Sequence, residues 1–84
     1  MRISKITPKS NYCLEIITTQ KKRGVFDVKP YLKYEPFSPL KDIKTFKNCR
    51  NGGYYIEWDC GADLSADTIE KRWKVEESAS VGRR

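Results

Sequence analysis

The segment Gly52-Gly53-Tyr54-Tyr55-Ile56-Glu57-Trp58-Asp59-Cys60-Gly61-Ala62-Asp63-Leu64-Ser65-Ala66-Asp67-Thr68-Ile69 constrains the fold more than any other part of the chain. It reads as a turn, a strand, a second tight turn, a short extended piece and a helix start. Asn51-Gly52 is the strongest hairpin signal, because a type I′ turn needs positive φ at both central positions. Tyr54, Ile56 and Trp58 then fall on one face of the returning strand, and Tyr55 and Glu57 on the other. Asp59-Cys60-Gly61 turns the chain again. Ser65 suits a helix N-cap, and Asp67 in the first turn suits the helix dipole. Leu64 before the cap and Ile69 at the fourth helical position form a hydrophobic staple. Ile69 and Trp73 would make the buried face of that helix.

The residues before this segment continue the pattern. Arg2–Thr7 is expected as a strand with Ile3 and Ile6 inward, ended by Pro8. Tyr12–Thr19 alternates cleanly, with Tyr12, Leu14 and Ile16 opposite Cys13, Glu15 and Ile17. Gly24–Val28 completes a three-stranded meander. Pro30–Lys33 can form one helical turn. Tyr34–Leu40 is proline-punctuated and expected to be extended, pinned by Phe37 and Leu40. Asp42 is a good N-cap for a short helix over Ile43–Lys47, whose Ile43 and Phe46 share a face. Asn48–Arg50 is expected as a short strand. The fold class is therefore α+β: a small antiparallel sheet, made of a three-stranded meander plus a second hairpin, with two short helices. Residues 1–73 form a single α+β domain, and 74–84 a polar C-terminal tail expected to be disordered.

Size bounds the function. A chain of 84 residues is one domain at most. A domain this small buries only about 60% of the surface its unfolded chain exposes, leaving little material for a deep pocket. No apolar run approaches the ~20 residues of a membrane-spanning helix. Met1-Arg2-Ile3-Ser4-Lys5 lacks the apolar block of a signal peptide, so no membrane association and a cytoplasmic location are expected. The three cysteines, Cys13, Cys49 and Cys60, are an odd set without Cys-x-x-Cys spacing, and histidine is absent. They are read as ordinary thiols, neither a disulfide framework nor a zinc site. No cofactor is expected.

Charge is unevenly distributed. Residues 1–50 carry twelve Lys/Arg against four acids, whereas residues 51–84 carry five against seven. Lys21, Lys22, Arg23, Lys44, Lys47 and Arg50 are the candidate basic patch, with Tyr12, Tyr31 and Tyr34 as stacking platforms for nucleic acid. The alternative is that these lysines line solvent faces and guard sheet edges. No recognition helix or aromatic RNA-binding motif accompanies them, so binding through them would be electrostatic, indifferent to sequence and steeply salt-dependent.

An enzyme needs a nucleophile with a base, a metal, or a tuned acid–base pair. None of these has its spacing here, and the chain is not expected to be an enzyme. Asp59 and Asp63 flank one turn and could approach a cation, but no further ligands accompany them. Asp59 closing its own turn is the simpler reading. Trp58 reads as core.

Phe26-Asp27-Val28, Tyr31-Leu32, Phe37, Leu40-Lys41-Asp42, Phe46, Gly53, Ile56-Glu57-Trp58, Gly61-Ala62-Asp63-Leu64 and Asp67-Thr68 occur in an order that resembles the bacterial family called domain of unknown function 2442. The resemblance covers roughly residues 3–72, and its most specific block is Trp58–Thr68. Asp59-Cys60 stands where Pro-Asn is common, and Ala66 where proline is common. The loop Lys21-Lys22-Arg23 is unusually basic. The resemblance implies a small α+β domain without an assigned role. It also implies a neighbour, since members are typically encoded beside another small protein suspected to be toxin-like. Some members are joined to a helix-turn-helix region, for which too few residues follow Trp73.

The expected function is thus a non-catalytic protein-interaction or regulatory module, antitoxin-like in a two-gene arrangement. The alternative is sequence-nonspecific nucleic-acid binding through the basic N-terminal half. Tyr55, Glu57, Asp59, Gly61, Ala62 and Asp63 are the candidate interaction surface. A homodimer is compatible with the unpaired edges of a small sheet.

Overall fold

A computed structural model describes residues 1–76. Its strands are β1 (Ile3–Pro8), β2 (Cys13–Thr18), β3 (Arg23–Asp27), β4 (Cys49–Asn51), β5 (Tyr55–Trp58), β6 (Asp63–Ser65) and β7 (Lys74–Val75). Its α-helices are α1 (Ile43–Lys47) and α2 (Ala66–Arg72). Two 3-10 segments, Lys29–Tyr31 and Glu35–Lys41, connect β3 to α1. All strand pairs are antiparallel, in two sheets ordered β1-β2-β3-β7 and β4-β5-β6. The fold is α+β, as expected, although the second hairpin is a meander of its own and builds a separate sheet.

Alternation decides which face of the first sheet is buried. Leu14, Ile16 and Thr18 of β2 are buried, while Cys13, Glu15 and Ile17 are half-buried on the other face. Leu14 lies opposite Phe26, and Ile16 opposite Gly24. In β1 the register shifts between Ile3 and Lys5, leaving Ser4 as an extra residue. Such a bulge resets the alternation. Ile3 and Ile6 consequently sit opposite Thr18 and Ile16, both on the core side. Tyr12 lies outside β2 with φ 66°, and its ring packs on Phe46 at 5.3 Å instead of extending the strand.

The inner faces of both sheets share one core with the second 3-10 segment and the helices: Ile3, Leu14, Ile16, Phe26, Val28, Leu40, Phe46, Ile56, Trp58, Ala62, Leu64, Ala66 and Ile69. Trp58 is its largest member, 2% exposed. Its ring stacks on Phe46 at 6.2 Å, and its indole N–H donates to the Phe46 carbonyl at 2.7 Å. A buried indole needs such an acceptor. The sheets are also stitched through the backbone, since the Ile3 N–H donates to the Gly53 carbonyl and the Asn51 side chain donates to the Ile3 carbonyl.

Both expected caps form. The Asp42 carboxylate accepts from the Lys44 N–H, and the Ser65 hydroxyl from the Thr68 N–H. Leu64 and Ile69 of the staple are buried. Three local expectations are corrected. The β4–β5 turn lies two residues later than Asn51-Gly52. The Gly52 N–H closes it on the Tyr55 carbonyl, and of the central pair Gly53-Tyr54 only Gly53 has positive φ, 88°. That is the requirement of a type II′ turn, which places glycine first. Tyr54 therefore occupies the turn, 62% exposed, and leaves the inner face to Ile56 and Trp58. Tyr34–Leu40 is mostly 3-10 helix, because proline at its start fixes a φ suited to a helical turn. Trp73 is half-buried, not part of a fully buried helix face.

The polar tail was expected from residue 74. Lys74 and Val75 pair with Val25 and Gly24, and the Glu76 N–H donates to the Arg23 carbonyl at 2.8 Å. The rest of that tail, 77–84, lies outside the described residues. The Trp73 ring is held over β3, where a Cβ on Gly24 would come 2.6 Å from its Cε3 atom. Glycine at this position leaves the space that the ring fills.

Candidate functional site

The outer face of the second sheet is built by strand alternation. Ile56 and Trp58 point into the core, so Tyr55 and Glu57 must point away from it. Arg50 of β4 lies opposite Glu57, and Glu57 lies opposite Asp63 of β6. The three form one row across the sheet. Tyr55 lies opposite Ser65 in the next row, and remains 43% exposed. Its ring covers Gly52, where a Cβ would collide with it.

The row is electrostatically uneven. Arg50 donates from Nε to Glu57 at 3.4 Å and from Nη1 to Asp59. The Asn48 amide also donates to Asp59, at 3.2 Å. The Arg50 guanidinium is held above the usual arginine value, first by its hydrogen bond to Asp59 and then by that to Glu57. Among the described residues Asp63 has no cation within 4.0 Å. Two acidic residues, Glu57 and Asp63, thus occupy directly opposed positions across β5 and β6. Like charges directly opposite destabilise a strand pair.

Asp59-Cys60-Gly61 is a three-residue loop closed by the Trp58 N–H on the Ala62 carbonyl, with Gly61 at φ 98°. A glycine in the left-handed region is what that loop length asks for. Asp59 extends from it back toward Arg50. Tyr55, Glu57 and Asp63 therefore share one side of the second sheet, Asp59 joins them through Arg50, and Gly61 is exposed in the adjoining loop. Ala62 does not join them. It is 2% exposed and belongs to the core, because alternation from Asp63 turns it inward. No group of three or more carboxylates and thiols capable of holding a metal is found among the described residues.

The candidate basic patch does not form. Lys21, Lys22 and Arg23 are exposed at the β2–β3 turn. Lys44 and Lys47 lie on α1, and Lys47 reaches the β1–β2 turn, donating to Ser10 at 3.1 Å. The two turns cap opposite ends of β2, roughly 17 Å apart at ~3.3 Å per residue. Arg50 is on neither, being held by Glu57 and Asp59. Of the proposed stacking tyrosines, Tyr12 is used internally, its hydroxyl donating to the Lys41 carbonyl.

All three cysteines are free. Burial pushes the Cys49 thiol above its ordinary value, whereas Cys60 is exposed in its loop. No helix among the described residues is long and apolar enough to cross a membrane.

One feature escaped the sequence. Phe26, Asp27, Pro30, Tyr31, Lys33, Tyr34 and Arg72 line a groove of about 310 Å³ between the first 3-10 segment and the end of α2. Tyr31 and Tyr34, three apart around prolines, were a visible signal. Arg72 could not be placed beside them without the tertiary packing.

The fold and this face define a small two-sheet α+β domain that displays a tyrosine beside an incompletely paired acidic row. The chain belongs to the family described as proteins of unknown function, DUF2442, whose sequence profile matches residues 3–75. No curated protein matches it, and no solved structure does.

Proposed function

We propose that this domain is a non-catalytic interaction module, acting in the cytoplasm, that binds a second small protein through the outer face of its second sheet. The supporting observation is the Glu57–Asp63 opposition, with the neighbouring Arg50 already shared between Glu57 and Asp59. A lysine or arginine brought by a partner would relieve it. Tyr55 beside it supplies a large exposed ring of the kind that anchors protein interfaces. The expected partner surface is basic and is carried by the product of an adjacent gene. This domain would then be the antitoxin-like half of a two-gene module.

Co-expression of the two genes, followed by capture on a tag, tests the reading. Wild-type chain should retain the neighbour. Glu57→Lys or Tyr55→Ala should lose it while keeping the wild-type melting profile. Capture unchanged in both variants, or no complex at micromolar concentration, overturns the proposal. The dispersal of the lysines disfavours the nucleic-acid alternative. Low-salt gel-shift with duplex and single-stranded DNA should show no retention.

A further inference from the structure

The groove beside α2 combines aromatic rings with cations that no carboxylate holds among the described residues. Phe26 forms its floor, and Tyr31 packs on Phe26 at 5.6 Å and on Tyr34 at 6.3 Å. Tyr34 stays 51% exposed, and Lys33 places its ammonium 5.4 Å from the centre of that ring. Arg72 enters from α2. Neither Lys33 nor Arg72 has a carboxylate within 4.0 Å among the described residues. Asp27, the acid in the lining, is engaged by Lys29 at 3.1 Å. The lining thus offers aromatic rings with two adjoining cations, while its one acid is already neutralised.

We propose that this groove binds a small aromatic anion: a planar ring against Tyr31 and Tyr34, and its phosphate or carboxylate at Lys33 and Arg72. The volume favours a small molecule over a macromolecule. It lies at the lower end of the roughly 300–1,000 Å³ typical of small-molecule sites. A stable protein interface needs about 1,000 Å² or more of buried surface, far beyond this lining. Rings supply stacking that tolerates many planar ligands, and the Lys33 ammonium next to the Tyr34 ring is placed to meet the anionic substituent of a ligand stacked there. A nucleoside monophosphate and an aromatic carboxylate share this chemistry. The site is separate from the outer face of the second sheet, so its occupancy and partner capture can be tested independently.

The isotope-labelled chain is titrated with adenosine monophosphate, with indole acetate and with inorganic phosphate, following backbone amide shifts. Saturable shifts at residues 31–34 and 72 are expected with at least one of the aromatic anions, and none with phosphate alone. The anion that saturates at lower concentration identifies the headgroup. Lys33→Ala combined with Arg72→Ala should weaken binding by roughly tenfold or more, and Tyr34→Ala by a similar factor. These side chains are exposed, so spectra of the variants should otherwise superpose on wild type. Tyr55→Ala should bind the ligand unchanged. The proposal is overturned by absence of saturable shifts at millimolar aromatic anion. Equal binding of inorganic phosphate, or affinity unaltered in the Lys33/Arg72 variant, would overturn it as well.

Discussion

The same local device occurs in both sheets and serves different ends. In the first sheet the Trp73 ring covers Gly24; in the second the Tyr55 ring covers Gly52. Gly24 is buried and Trp73 half-buried, at the point where the chain returns to pair with β3. An aromatic laid over a glycine covers backbone that would otherwise lack a side chain. Tyr55 keeps 43% of its surface exposed, and Gly52 is itself in a surface turn. One ring therefore closes the domain, while the other is held in place but left uncovered. A ring oriented in advance loses less freedom when a partner covers it.

The largest effect should come from the residue on which the second sheet rests. Trp58→Ala removes the stack on Phe46 and leaves the Phe46 carbonyl without its donor. It should cost about 3–5 kcal/mol, enough to unfold a domain of this size, as read by chemical denaturation. A cooperative transition with wild-type midpoint would break the idea that the second sheet depends on this core.

The paired glycines sharpen the comparison directly. Gly24→Val must displace Trp73 and should destabilise by about 1–3 kcal/mol. Gly52→Val displaces Tyr55 toward solvent, so its main effect should be loss of partner capture, with melting close to wild type. Equal destabilisation by both would show that Tyr55 is structural rather than a recognition element. At the adjoining turn, Gly53→Ala places a side chain at φ 88° and should cost about 1 kcal/mol.

The smallest effects concern the thiols. Cys60 should react first with a thiol reagent and Cys49 last, because burial disfavours the Cys49 thiolate. Its folded pKa lies above the ordinary 9.0, so its contribution to stability is complete below the unfolded value and fades as pH rises through the folded one. Stability should decline slightly above pH ~9, and Cys49→Ala should remove that part of the decline. Equal reactivity of Cys49 and Cys60 would contradict the packing around β4.

Much of this arrangement was legible because it depends on short-range pattern. Leu14 and Ile16 are inward by alternation, and Ser65 and Asp42 cap because their oxygens reach N–H groups two or three residues away. Tyr55 and Glu57 could be assigned to the outer face for the same reason. Ala62 is inward because it precedes the outward-facing Asp63 by one residue, a signal that its exposed neighbours in the turn obscure. Lys74 and Val75 looked like polar tail, since two residues hold no periodicity.

Local chemistry in the chain alone determined the strands of the first meander, the helix starts, and which side of β5 faces away from the core. These depend on alternation and on hydrogen bonds between near neighbours. Tertiary structure decided that Arg50 belongs to an acidic row and not to a basic patch. It also separated the lysines of the β2–β3 turn from those of α1, and set Arg72 beside Tyr31 and Tyr34. The last two relations join residues distant in sequence, whereas Arg50 meets Glu57 and Asp59 across one hairpin whose register is set only in the folded chain.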